Sequence, residues 1–234
     1  MDNATGEPPS PRQTSTDRLP RIDGGFILSE LSGVLNLQKG LFFTIKAVLL
    51  RPGISVRRFI HEDRSRMTKP VNFLVVCSLV YIVAQRVLGF EDGYLNYSGL
   101  AWDNAATTTI MAWISTNYGL VNILLANAIA LCTKLLFRRS RYNLFETCVL
   151  LYYAMGIQML MLTLLGVANH VTGMNILDVG INLAILYVCW AIARFFDERK
   201  KRNYLKALLA YALGLLLTLL TAILLGGVSN VVTR

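Results

Sequence analysis

Five long apolar runs dominate the chain: Val71 to Leu88, Tyr118 to Leu136, Leu144 to Val167, Ile176 to Phe195 and Tyr204 to Val228. A helix rising about 1.5 Å per residue needs about 20 mostly apolar residues to cross a hydrocarbon layer of about 30 Å. Each run therefore predicts a transmembrane helix. None alternates apolar and polar residues as a barrel strand must. The predicted fold class is all-α: a polytopic transmembrane helical bundle of about five spans, preceded by an amphipathic interfacial helix.

That preceding helix is assigned to Leu28–Leu50. Ser32, Asn36, Lys39 and Lys46 are assigned to one helical face, and Leu31, Leu35, Phe42, Ile45 and Leu49 to the opposite one. Such a pattern predicts a helix lying in the inner-leaflet surface, with its lysines towards anionic headgroups. The alternative is a sixth crossing, which would bury two lysines at about 2.5 to 3.5 kcal/mol each and move the basic tail outside. Arg51-Pro52-Gly53 ends the helix, because proline cannot continue its hydrogen-bond ladder and glycine takes turn conformations readily. A second amphipathic piece follows, with Val56, Phe59 and Ile60 on one side among Arg57, Arg58 and Arg64, and Lys69-Pro70 opens the first span. The chain thus divides into a disordered cytoplasmic tail (residues 1–25), interfacial helices with a basic approach (26–70) and the bundle (71–234). The tail is rich in Pro, Ser, Thr, Asp and Arg and has no apolar core like that of a signal peptide.

Composition agrees with the pattern, with 54% of the 234 residues hydrophobic and 16% charged. The net charge of +9 is concentrated in blocks between the apolar runs and not spread along a soluble face. Nucleic acid is therefore excluded as the expected partner. The blocks fix direction, since Lys and Arg are retained on the cytoplasmic side. All of the 23 basic residues except Arg86 and Arg234 lie before span one, between spans two and three, or between spans four and five. The amino terminus is predicted inside and the carboxyl terminus outside. In a bacterium this means the cytoplasmic, inner membrane.

Lys39-Gly40-Leu41-Phe42-Phe43, Arg51-Pro52-Gly53, Phe59-Ile60, Arg64-Ser65-Arg66 and Lys69-Pro70-Val71-Asn72 occur in that order before the first span. This series resembles DUF3667, a bacterial multi-pass membrane family of undetermined function whose members often begin with a small zinc ribbon. Tyr142-Asn143-Leu144-Phe145-Glu146 is similar to the family's opening of a central helix, so the resemblance is taken to run from about residue 38 to residue 205. A weaker similarity connects the turns and basic helix starts to the Yip-type bundles. The ribbon's cysteines are missing from the amino-terminal part, so nothing the ribbon does carries over. What the resemblance implies is a helical membrane bundle, with no activity attached.

Among candidate chemistry, Glu146 stands out as an acid within a span, which is costly and marks either a pathway or a paired structural site. Lys134, Arg138, Arg139 and Arg141 are its nearby cations, so an ion pair holding spans two and three together competes with a proton or ion site. Asn122, Asn127, Gln158 and Asn182 place amides in the apolar runs, either as interhelical hydrogen bonds or as a cavity lining. Lys39, Lys46, Arg57, Arg58, Arg64, Arg66 and Lys69 are the candidate contacts to anionic lipid, at about 1 kcal/mol per well-placed charge. Ala210, Gly214, Thr218, Ala222 and Gly226 repeat at four-residue steps, a small-residue ribbon for close helix packing within the chain or in a homo-oligomer.

Neither a phosphate-binding glycine loop nor a dinucleotide fingerprint nor a zinc-binding H-E-x-x-H occurs. The two histidines, His61 and His170, are expected on opposite sides of the membrane. Cys77, Cys132, Cys148 and Cys189 are scattered singly in apolar runs and read as small core residues. No enzyme, metal or cofactor is expected. The function read from the sequence is a non-catalytic membrane scaffold or assembly component, with the bilayer and anionic inner-leaflet lipids as partners. A small transporter or channel with a polar path is the competing class.

Overall fold

The structure, a computed structural model, describes residues 40–89, 118–173, 176–197 and 200–232, with backbone alone at 118–120, 177–178 and 222–232. The tail, the stretch Leu28–Lys39, the loop 90–117 and Arg199 lie outside the described residues, and Asp178, Ala222 and Gly226 are described by their backbone alone. Among the described residues all regular structure is helical: α1 (Gly40–Leu50), α2 (Pro52–His61), α3 (Pro70–Leu88), α4 (Tyr118–Leu136), α5 (Leu144–Thr172), α6 (Leu177–Phe196) and α7 (Lys201–Val232). Among these, α3, α5, α6 and α7 are long and apolar enough to cross a membrane. The protein is a multi-pass helical membrane protein. The expected second span is the 19-residue α4, of which the fully described part, Val121–Leu136, is a shorter apolar helix.

Local chemistry sets the helix ends. Pro52 and Pro70 open α2 and α3, where a missing N–H costs nothing because the first turn has no acceptor for it. Gly89 and Gly173 close α3 and α5 with φ of 63° and 66°, the left-handed conformation that glycine adopts without strain. Helix α5 continues through Thr172, five residues beyond the expected span, and stops at Gly173. The Asn169 side chain then accepts a hydrogen bond from the Ile176 N–H at 3.0 Å, closing the connection to α6.

Helix α5 is the centre of the bundle, in contact with α2, α3, α4 and α6, while α7 packs on α4 and α6. Its buried residues run from Thr147 to Gly166. Small residues permit the close approaches. A Cβ at Gly156 would fall 2.5 Å from the Phe73 ring of α3, and one at Gly214 of α7 would fall 2.5 Å from the Ile129 side chain of α4. In lipid, where burial from water offers little between helices, such van der Waals packing is what gains energy. The perimeter is apolar: Phe145 is 79% exposed and Val179 71%, as a lipid-facing surface requires.

Helix α1 differs from its expected amphipathic division. Thr44 and Val48 are fully buried against the bundle, whereas Phe42, Phe43, Lys46, Leu49 and Leu50 are exposed together. The physical reason is the period of the helix. At about 100° per residue, Phe42 and Leu49 fall within one turn of Lys46 and share its face. The outward face of α1 is therefore apolar with one lysine in its middle.

Candidate functional site

The most constrained region is where α1 and α2 dock on the basic end of the bundle. Pro52 and Gly53 bring the first turn of α2 against the last turn of α6. A Cβ at Gly53 would lie 2.5 Å from the Arg194 carbonyl oxygen and 2.7 Å from its carbon. One turn later, the Arg57 guanidinium donates through Nη1 to the carbonyl oxygens of Arg194 at 3.1 Å and Phe195 at 2.9 Å. These are among the last carbonyls of α6, which no helical N–H can satisfy, and they carry the negative end of its dipole. Arg57 supplies donors and charge together.

Three further bonds fix the same region. The Tyr187 hydroxyl of α6 donates to the Val48 carbonyl at 3.0 Å, and the Thr68 N–H donates to the buried Thr44 hydroxyl at 2.9 Å. The Tyr153 hydroxyl of α5 donates to the Thr68 carbonyl at 2.6 Å, with its ring edge-on to Phe59 and beside Phe73. Sequence reasoning did not find this role for Gly53, Arg57, Tyr153 or Tyr187. A glycine at a helix start and tyrosines inside apolar runs were the available signals.

Of the basic residues expected to face lipid, Lys46 and Lys69 are exposed and Lys39 lies outside the described residues. Arg57 is a correction to that set, since its guanidinium turns inward onto α6. Arg58 pairs with Glu62 at 2.8 Å, Arg66 pairs with Asp63 at 3.5 Å, and Arg64 donates to the Ile60 carbonyl at 3.2 Å. The Ser65 hydroxyl and N–H both donate to Asp63, holding its carboxyl below the usual carboxylate range.

Within the bundle, the amides engage neighbouring helices. Asn122 of α4 is buried and donates to the Ser78 hydroxyl of α3 at 3.3 Å, with the Met159 sulfur of α5 also at 3.3 Å. Asn127 of α4 accepts from the Tyr152 hydroxyl of α5 at 2.8 Å. Gln158 of α5, fully buried, donates to the Tyr211 hydroxyl of α7 at 3.0 Å. Asn182 is exposed on α6. On α7, Ala210 and Gly214 are buried, and the Thr218 hydroxyl donates to the Gly214 carbonyl at 2.9 Å.

Glu146 sits at the head of α5, in its first turn. Its carboxylate accepts from the Asn143 N–H at 2.8 Å while the Asn143 side chain accepts from the Glu146 N–H at 2.8 Å, a reciprocal capping box. It forms no ion pair with Lys134, Arg138, Arg139 or Arg141 among the described residues. Lys134 instead donates to the Tyr142 carbonyl, bracing the end of α4 against the turn. Arg141 donates to the Tyr142 hydroxyl at 3.2 Å, and that bond, followed by the charges of Tyr142 and Glu146, raises its already high pKa.

The turn from α4 to α5 and the turn from α6 to α7 face one another. Phe137 stacks on Phe196 at 4.2 Å with 12° between planes, and Tyr142 lies 4.4 Å from Phe195. Between the turns opens a cavity of about 680 Å³ lined by Arg57, Arg138, Arg139, Arg141, Lys200 and Lys206, with Asp197 the carboxylate among its lining residues. Ser140, Tyr142 and Asn203 add polar groups. Among the described residues, no three His, Cys, Asp or Glu side chains are grouped as a metal site.

Residues 38–82 match the family described as a protein of unknown function, DUF3667. The matched segment holds α1, α2 and the first two-thirds of α3, including Thr44, Gly53, Arg57 and Phe73. The Tyr142–Glu146 resemblance lies outside it. Neither curated proteins nor solved structures give a match.

Proposed function

We propose that this protein is a non-catalytic scaffold or assembly component of the bacterial cytoplasmic membrane, held with its amino terminus inside and its carboxyl terminus outside. The observation that carries this reading is how the intramembrane amides are used. Asn122, Asn127 and Gln158 each meet a side chain on another helix, so they tie α3, α4, α5 and α7 together. A transport path needs polar groups turned towards a shared water-filled space. The orientation rests on the basic blocks, which flank the same end of the bundle. At that end the outward face of α1 offers Phe42, Phe43, Leu49 and Leu50 to the lipid interface, and Lys46 can extend its ammonium to the headgroups.

Single cysteines at Asn122, Asn127, Gln158 and Asn182, in a background free of other cysteines, test the reading with a membrane-impermeant thiol reagent. Protection of the first three is expected; their uniform labelling would establish an aqueous path and remove the scaffold. Reporter fusions after Phe90, Ser140, Thr172 and Lys201 should read out, in, out, in. Any other order refutes the orientation.

A further inference from the structure

We propose that the cavity between the two basic turns is a binding site for a phosphate group. Six cationic side chains line it, and the carboxylate among its lining residues, Asp197, is bonded to Lys200 at 3.1 Å. Their proximity is imposed: the Phe137–Phe196 stack and the Tyr142–Phe195 contact lock the turns face to face. The aromatic frame fixes the backbone from which these side chains project, so the charges stay gathered around one opening. A bound anion removes their mutual repulsion and is drawn in by the summed field.

The lining also has donors to spare. Lys206 is partly engaged, reaching the Leu136 carbonyl at 3.4 Å above the Phe137 ring, and Arg57 holds α6. Arg138 and Arg139 are exposed and make no ion pair or side-chain hydrogen bond among the described residues. The Ser140 hydroxyl oxygen is buried on the same lining and has no hydrogen-bond partner among the described residues. Two guanidinium forks and a hydroxyl suit the several acceptor oxygens of a phosphate better than a lone carboxylate, which would leave most of the charge unmatched. A volume of about 680 Å³ admits a phosphate with the fragment that carries it. The phosphate could belong to a lipid headgroup or to a soluble phosphate compound. The inference goes beyond the scaffold reading and does not depend on it.

Calorimetric titration of the full chain in neutral detergent, with inorganic pyrophosphate and with dihexanoyl phosphatidate as probes, tests the site. At least one probe should bind, and Arg138→Gln with Arg139→Gln should weaken it by about tenfold or more through lost charge-assisted bonds. Arg58→Gln with Arg64→Gln removes the same charge outside the cavity and should weaken it less than about twofold. Equal loss in both pairs, or no binding of either probe, overturns the proposal. Tight phosphatidate with weak pyrophosphate identifies a lipid headgroup, and comparable binding identifies a soluble phosphate; both support the site. If the cavity pair aggregates, Arg139→Gln alone must still weaken binding more than the control pair does. Thiol protection in the bundle is read separately, so failure here leaves the scaffold reading standing.

Discussion

The Arg57 guanidinium of α2 lies on the end of α6, 2.9 Å from the Phe195 carbonyl oxygen across a separation of 138 residues. This contact joins the segment that matches the family to the bundle, and its loss should be felt as stability. Arg57→Ala removes a donor from two terminal carbonyls and a cation from the dipole's negative end. Hydrogen bonds to charged groups are worth about 1.5 to 3 kcal/mol, so thermal unfolding in detergent should show a loss within roughly that range. Arg57→Lys should recover part of it, keeping charge without the planar fork. An unchanged unfolding curve for Arg57→Ala would show that the contact carries no stability.

Gly53 makes the same approach possible, and a substitution there opposes two effects. Alanine in a helix is favoured over glycine by about 1 kcal/mol. At Gly53, however, the new Cβ meets backbone atoms of Arg194 at 2.5 and 2.7 Å, which cannot swing aside. Overpacking of this kind costs about 1 to 3 kcal/mol, so Gly53→Ala should destabilise overall. Gly40→Ala is the contrast: its nearest neighbour, the Thr68 hydroxyl, lies at an ordinary 3.6 Å, and the change should be neutral or stabilising. Similar unfolding midpoints for the two variants would count against the clash.

The two sites show what the sequence made legible. Span positions followed from length and apolarity, which is why α3, α4 and α6 begin and end within a residue or so of expectation. Arg51-Pro52-Gly53 was recognisable as a turn, but the purpose of Gly53 depends on Arg194, and no local pattern connects them. On α1, placing Phe42 and Leu49 opposite the lysines runs against the helical period, which puts both on the face of Lys46. In a membrane the outward face can be the apolar one, and Thr44 goes inward because the Thr68 N–H awaits it. The basic turns were visible as charge; their convergence on one cavity was not, because it depends on Phe137 stacking on Phe196.

The amide contacts yield a prediction about coupling. Tyr152→Phe deletes the hydroxyl that meets Asn127 at 2.8 Å, and Asn127→Leu deletes its acceptor. Interhelical hydrogen bonds in membranes contribute about 0.6 to 2 kcal/mol. A double-mutant cycle on unfolding free energy should return a coupling in that range, because each change removes the same bond. Strict additivity would mean that the two groups do not stabilise one another, and would weaken the case that span polarity serves packing.

Glu146 provides the last discrimination, because the capping box and an ion site respond differently to amide substitution. Glutamine at the third helical position can still accept from the Asn143 N–H, as glutamate does. Glu146→Gln should therefore stay within a few tenths of a kcal/mol of the native protein, less any weak attraction to Arg141. Glu146→Ala loses the acceptor, and Asn143→Ala loses the partner bond at the other end; each should cost about 1 kcal/mol. The two alanine changes should be less than additive, since either one opens the reciprocal pair. If Glu146→Gln were as damaging as Glu146→Ala, charge rather than hydrogen bonding would be what the position requires. The head of α5 would then need to be considered again as an ionic site.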